Sequence, residues 1–144
     1  MRLQAKLLKN YQVELVTRGH HWLSDEPLAS GGDDVGPNPF DLLLSSLAAC
    51  KVITVQMYAQ RKGWQVEAID LDLDIREIKA SECDDCQSEG SEKVNIIDVV
   101  ISFEGDLTPE QHRRLAEIAD RCPVHRTLTR EIKIRSQLFT PLAS

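Results

Sequence analysis

The sequence has no excess of positive charge. Its 144 residues include 17 Lys and Arg against 23 Asp and Glu, which gives a formal net charge of −6. Proteins that bind phosphate backbones or anionic lipid surfaces attract them with clustered basic side chains. We therefore expect neither a nucleic-acid partner nor a membrane partner.

An export signal is also missing from the amino terminus. The first ten residues, MRLQAKLLKN, contain no apolar core and no small-residue cleavage site. We therefore expect a cytoplasmic protein. Permanent disulfides are rare in that reducing compartment, where cysteines more often bind metal or do redox chemistry. The four cysteines thus become the central question.

The chain has no internal repeat and no low-complexity segment, and its length suits a single domain over residues 1–144. Several segments alternate apolar and polar side chains with a period of two, which is typical of half-buried strands. These segments are the two halves of residues 2–18 about a turn at Asn10 and Tyr11, then residues 20–26, 64–79, 93–103 and 131–139.

Two segments predict helices. Pro39–Lys62 contains no glycine and ends before Gly63, so it predicts one long helix. Charged and polar residues interrupt every window of about 18 apolar residues in it, so we do not expect it to cross a bilayer. Thr108 caps a second helix that runs to about Arg121. The order βββ-α-ββ-α-β predicts an α+β fold with antiparallel sheets around the long helix.

Two cysteines lie in these helical segments. Cys50 is in the middle of the long helix, among small and aliphatic residues, where an inert core thiol is one interpretation. Cys122 follows the second helix in the segment DRCPVHRTL, whose Arg121, His125 and Arg126 favour a thiolate. His125 is a candidate for proton transfer, although the same segment is also compatible with a simple packing turn.

The segments GPNPFDLLLSSLAAC and CPVHRTL, in that order, resemble the OsmC/Ohr family of osmotically inducible and organic hydroperoxide resistance proteins. The segments GG, GPNPFDLLLSSLAAC and MYAQRKGW are more similar to its OsmC-like branch than to either named enzyme type. The resemblance implies a three-stranded meander, a central helix with the first cysteine, and an intertwined homodimer with the site between the subunits.

The resemblance also implies the chemistry. Cys50 would be the peroxidatic cysteine, which attacks a hydroperoxide and becomes a sulfenic acid, and Cys122 would resolve it to a disulfide before further oxidation. The apolar surroundings of Cys50 favour organic hydroperoxides. No cofactor is expected, and a dithiol or thioredoxin-like reductant would reopen the disulfide.

A cation should stabilise the Cys50 thiolate. Related enzymes take an arginine from the meander, and Arg18 lies near the corresponding place. They also carry a glutamate directly after Asn-Pro, whereas this chain has Phe40 there and Asp41 next. Nine residues of continuous helix place Asp41 opposite Cys50, where it would be a favourable first-turn charge. It could orient the arginine only if the helix breaks; otherwise Asp25 or Glu26 could replace it.

The remaining cysteines, Cys83 and Cys86, lie in the acidic segment CDDC between two predicted strands. A single Cys-X-X-Cys pair is compatible with half a zinc site, with an accessory redox pair, or with an ordinary surface loop. We expect no metal to carry the main function. The alternative to a peroxidase is a non-catalytic module that binds an apolar ligand or senses redox state or metal.

Overall fold

The computed structural model describes residues 2–139 and begins with a three-stranded antiparallel sheet. Its strands are β1 (Gln4–Lys9), β2 (Gln12–Thr17) and β3 (His20–Ser24), with β2 in the centre. Val13 of β2 pairs with Leu7 on one side and Ser24 on the other. The predicted turn at Asn10 forms with a positive φ of 47°, a conformation that asparagine tolerates better than most residues.

The third strand ends at Ser24, two residues before the predicted end. It ends there because the side chain of the next residue, Asp25, accepts hydrogen bonds from backbone N–H groups of the following loop. Asp25 is 2% exposed, and it accepts hydrogen bonds from the N–H groups of Glu26 (2.8 Å), Asp33 (3.0 Å) and Val35 (3.2 Å). Burial acts to raise the pKa of Asp25, but these backbone hydrogen bonds outweigh it and leave the pKa below 3.8. One buried carboxylate therefore holds the loop that leads to the long helix.

The long helix, α1 (Pro39–Lys62), has the predicted bounds. Asn38 and Asp41 form a reciprocal capping box, in which Asn38 Oδ1 accepts from Asp41 N–H at 2.8 Å and Asp41 Oδ2 accepts from Asn38 N–H at 2.9 Å. Gly63 ends the helix with φ 69°. By length and composition alone α1 could cross a membrane, but core helices of soluble proteins meet the same criterion, so this is weak evidence.

The second half of the chain adds a long hairpin and two shorter helices. These elements are β4 (Ala68–Lys79), β5 (Lys93–Glu104), α2 (Pro109–Ala119) and α3 (Pro123–Leu128). The hairpin strands pair antiparallel along their full length, from Ala68 opposite Glu104 to Lys79 opposite Lys93. A separate α3 was not predicted, and α2 ends two residues earlier than expected.

The buried core lies where α1 crosses α2 and the hairpin. Its fully buried members are Val55, Ala59, Leu115, Ile118 and Ala119. The antiparallel α+β fold around a long central helix is therefore confirmed. In this single chain, other parts of α1 stay open: Ile53 is 57% exposed and Met57 is 65% exposed.

The predicted closing strand over residues 131–139 is wrong for the single chain. No strand within residues 2–139 pairs with this segment, and it has no regular secondary structure. Its apolar side chains are largely exposed, with Ile134 at 87% and Phe139 at 85%. The alternating pattern favours a strand, but a strand forms only where neighbouring N–H and C=O groups complete its ladder.

Candidate active site

The two helical cysteines meet although 71 residues separate them in the chain. Cys50 is half-buried in α1, and Cys122 is fully buried at the start of α3. The two side chains are close enough for Cys50 to raise the pKa of the Cys122 thiol.

Proline explains how Cys122 reaches this position. The residue before a proline avoids helical dihedrals, and Cys122 adopts φ −62° and ψ 143°, so α2 cannot continue through it. Pro123 then occupies the first position of α3, and Cys122 becomes the residue that caps it. Its sulfur accepts a hydrogen bond from the N–H of His125 at 3.2 Å.

The backbone N–H of Val124, the residue before His125, faces the sulfur of Cys50. Val124 N–H donates to Cys50 Sγ at 3.5 Å, which is within the range for a sulfur acceptor. Two consecutive N–H groups of one helical turn thus hold two sulfurs from different helices.

A buried lysine completes the cluster. Lys51 is 2% exposed, and its Nζ donates to Asp120 Oδ1 at 2.8 Å and to the carbonyl of Ala119 at 3.3 Å. It also lies 3.1 Å from His125 Nδ1. Because an ammonium has only donors, Nδ1 must be the acceptor, which places the ring proton of His125 on Nε2.

These surroundings act on the pKa of Cys122 in opposite directions. Burial raises the pKa of Cys122 most, and the neighbouring Cys50 raises it further. The His125 N–H and the charge of Lys51 lower it, but the net effect is upward. Cys122 is therefore held as a neutral thiol at neutral pH, so the thiolate expected from its basic sequence neighbours is wrong for this residue.

A cavity of about 350 Å³ opens beside this cluster. Its wall combines apolar side chains of α1, β5 and α3 with the polar groups around Lys51. The lining residues are Leu47, Lys51, Asn95, Ile97, Val99, Asp120, His125, Leu128 and Thr129. This cavity is large enough for a small, partly apolar molecule.

The other sequence-predicted residues lie elsewhere in the single chain. Arg18 is exposed in the turn between β2 and β3 with a positive φ of 47°, Asp41 is engaged in the α1 capping box, and Glu26 is half-buried in the loop after β3. Within residues 2–139, none of the three forms a hydrogen bond or ion pair with Cys50 or Cys122. The helix is continuous through Ser45 and Ser46, so the break that would turn Asp41 toward Cys50 does not occur.

Two members of the cluster were not expected from the sequence. In the sequence Lys51 is one of the polar residues that interrupt an apolar helix, and nothing local marks Asp120 as its partner. A signal was present, because a lysine directly follows the first cysteine and an aspartate comes two residues before the second. Only the packing of α3 on α1 shows that these charges meet.

Cys83 and Cys86 form a disulfide in the loop between β4 and β5. The sulfurs and the Asp85 carboxylate lie within 4.8 Å of one another, so this trio has the donor types of a partial metal site. Each of the two cysteines is half-buried.

Comparison with solved structures shows the same fold in several proteins. An OsmC-like protein from Mycoplasma pneumoniae is 19% identical with a TM-score of 0.64, over 88% of this chain and 85% of that one. An organic hydroperoxide resistance protein OsmC from Legionella pneumophila is 16% identical with a TM-score of 0.63, over 89% and 88%. The organic hydroperoxide resistance protein OhrB of Bacillus subtilis is 16% identical with a TM-score of 0.58, over 89% of each chain.

Comparison with curated protein sequences finds no match. The family model described as OsmC-like protein matches residues 31–137, which include Cys50, Cys122 and every residue of the cluster around them. The resemblance of the two cysteine segments is thereby confirmed, and the chain belongs to the OsmC-like protein family.

Proposed function

We propose that this protein is a thiol-dependent peroxidase that reduces organic hydroperoxides in defence against oxidative stress. The observation that carries the proposal is the contact between Cys50 and Cys122, two free thiols that adjacent N–H groups of α3 hold side by side. Two proteins with the same fold are organic hydroperoxide resistance proteins, which supports the same class of substrate here.

In the first step, the Cys50 thiolate attacks the distal oxygen of the hydroperoxide. An S–O bond forms, the O–O bond breaks, and the alkoxide leaves as an alcohol once it is protonated. Cys50 becomes a sulfenic acid. The Val124 N–H donates to the Cys50 sulfur and stabilises the negative charge that this attack requires.

In the second step, Cys122 loses its proton and attacks the Cys50 sulfur. An S–S bond forms, the S–O bond breaks, and the oxygen leaves as water. Oxidation of Cys50 removes its negative charge, which was one cause of the raised pKa of Cys122. The first step therefore makes the second easier. A dithiol or thioredoxin-like reductant then returns two electrons and two protons by thiol exchange.

Lys51 supplies the positive charge near the thiols within one chain. Its charge lowers the pKa of Cys122, and its bond to His125 orients the segment that holds both sulfurs. Arg18 remains a candidate second cation that would approach from another subunit, with Glu26 or Asp41 to orient it. This arrangement requires the homodimer that the family resemblance implies.

The open surface of the single chain supports that homodimer. The exposed side chains of α1 and the alternating segment 131–139 are apolar surfaces that a second copy would cover. The cavity beside Lys51 would then hold the apolar part of the hydroperoxide. The proposed cycle depends on a pool of reducing dithiols, which favours a cytoplasmic location.

Mass spectrometry with one equivalent of cumene hydroperoxide tests the proposal. The reduced protein should lose two hydrogens within seconds and yield a peptide pair linked through Cys50 and Cys122. The matched variant Cys50→Ser should leave Cys122 unlinked and consume no peroxide above background. Slow, unselective oxidation of all four cysteines would instead indicate the non-catalytic binding module.

A further inference from the structure

The disulfide between Cys83 and Cys86 lies at the tip of the β4–β5 hairpin. The hairpin ladder ends at the pair Lys79 and Lys93, and the thirteen residues between them form the tip. The Cα atoms of the two cysteines are 5.6 Å apart, an ordinary separation for a disulfide. Both residues are partly accessible, so a reagent can reach the bond from solvent.

This disulfide is remote from the thiols of α1 and α3. Leu73 in the middle of β4 lines one surface hollow with Ser45 and Ala48, which precede Cys50 on α1. Lys79 lies six positions further along the strand than Leu73, which corresponds to about 20 Å. Cys83 lies beyond that point, so the two sulfur pairs of one chain react independently.

The hairpin tip has an unusual charge. Residues 80–92 contain five acidic side chains and no basic one; the acidic residues are Glu82, Asp84, Asp85, Glu89 and Glu92. Asp85 Oδ1 lies 3.3 Å from Cys83 Sγ. A negatively charged thiol therefore meets repulsion as it approaches, whereas a positively charged one is attracted.

We propose that Cys83–Cys86 is a second redox centre, which exchanges its disulfide with dithiols that are neutral or positively charged around their reacting sulfur. It uses neither Cys50 nor Cys122. The acidic tip slows the approach of anionic thiols of the glutathione type, so neutral or positively charged dithiols react faster.

The exchange follows ordinary thiol–disulfide chemistry. One thiolate of the dithiol attacks Cys86 Sγ, because Asp85 repels an attack on Cys83. A mixed disulfide forms, the S–S bond breaks, and Cys83 leaves, takes a proton from solvent and donates its S–H to Asp85. The second thiol of the reductant then attacks its own mixed disulfide and releases Cys86. The protein gains two electrons and two protons, and the reductant becomes a disulfide.

The experiment uses the full chain with Cys50→Ser and Cys122→Ser, so that only the hairpin cysteines react. Its result is therefore independent of the peroxidase proposal. Reduction of the oxidised variant is followed by alkylation and mass with three small thiols of different charge, namely cysteamine, 2-mercaptoethanol and 3-mercaptopropionate. Rates are expressed per thiolate at low and at high salt.

We expect cysteamine to react about tenfold faster per thiolate than 3-mercaptopropionate at about 0.01 M salt, and this ratio to shrink toward one at about 1 M. Asp84→Asn with Asp85→Asn should also reduce the ratio. Single-cysteine variants of the same background are first converted to mixed disulfides with oxidised 2-mercaptoethanol. 3-Mercaptopropionate should then release the remaining Cys86 of Cys83→Ser faster than the remaining Cys83 of Cys86→Ser. Equal rates for all three thiols would overturn the proposal, as would one tightly held equivalent of zinc that keeps the two thiols reduced.

Discussion

The ammonium of Lys51 lies 2.8 Å from the carboxylate of Asp120, although one side chain is 2% exposed and the other is 69% exposed. The pair joins the middle of α1 to the residue that ends α2. The same ammonium contacts His125 Nδ1, so the positive charge lies next to the segment whose N–H groups bind both sulfurs. One lysine thus connects the packing of three helices to the proposed chemistry.

Replacing Cys122 by serine should separate the two steps of the proposed cycle. Cys50 should still react once with cumene hydroperoxide, because its attack does not need a second thiol. The sulfenic acid should then persist, bind dimedone at Cys50, and pass to sulfinic acid with excess peroxide. Dithiol-dependent turnover should fall by at least about a hundredfold. Undiminished turnover in this variant would exclude Cys122 as the resolving cysteine.

Replacing Lys51 by methionine should slow disulfide formation without unfolding the protein. The lost positive charge raises the pKa of Cys122, and one pKa unit reduces the thiolate fraction about tenfold, so we expect a three- to tenfold slower second step. Asp120 is mostly exposed, so no charge is left buried, and the free energy of unfolding should change by about 1 kcal/mol or less.

Lys62→Met is the matched control for this variant, because it removes the same charge from an exposed position on the same helix. Rapid quench with acid and mass analysis measures the rate of disulfide formation in both variants. Equal rates in Lys51→Met and Lys62→Met would show that the buried charge has no part in the second step.

Asp25 should control stability at acid pH. Its pKa in the folded protein lies below the ordinary value of 3.8, so its hydrogen bonds stabilise the fold above that pH and are lost as the pH falls through the folded-state pKa. Asp25→Asn should lower Tm at pH 7 by several degrees. Below pH 3.8, the Tm of this variant should fall less steeply with decreasing pH than the Tm of the unmodified protein. The exposed Asp34→Asn, measured by the same thermal melts, should change neither quantity.

Removal of every residue after Arg130 should leave a monomer. The segment 131–139 exposes an alternating apolar stripe that includes Ile134 and Leu138, and such a stripe is stable only as part of a sheet or an interface. Sedimentation of the full chain should give a dimer, and Ile134→Asp should weaken it. A full chain that stays monomeric at high concentration would remove the dimer from the proposal.

Much of the fold could be predicted from the sequence. The bounds of α1 follow from a proline, a capping box and a terminal glycine, all of which act within a few residues. The alternation in β4 and β5 likewise reports a local preference for one buried face. The segment 131–139 has the same alternation but no partner strand among residues 2–139, because pairing is not a local property.

The two cysteine segments by themselves determined the family and the two residues that the proposed chemistry needs, because their order and spacing form a recognisable motif. Only the tertiary structure decided that Lys51, Asp120 and His125 share one cluster, and that Val124 and His125 hold the two sulfurs. Contacts between residues about 70 positions apart depend on how helices pack, and neither periodicity nor local capping encodes that arrangement.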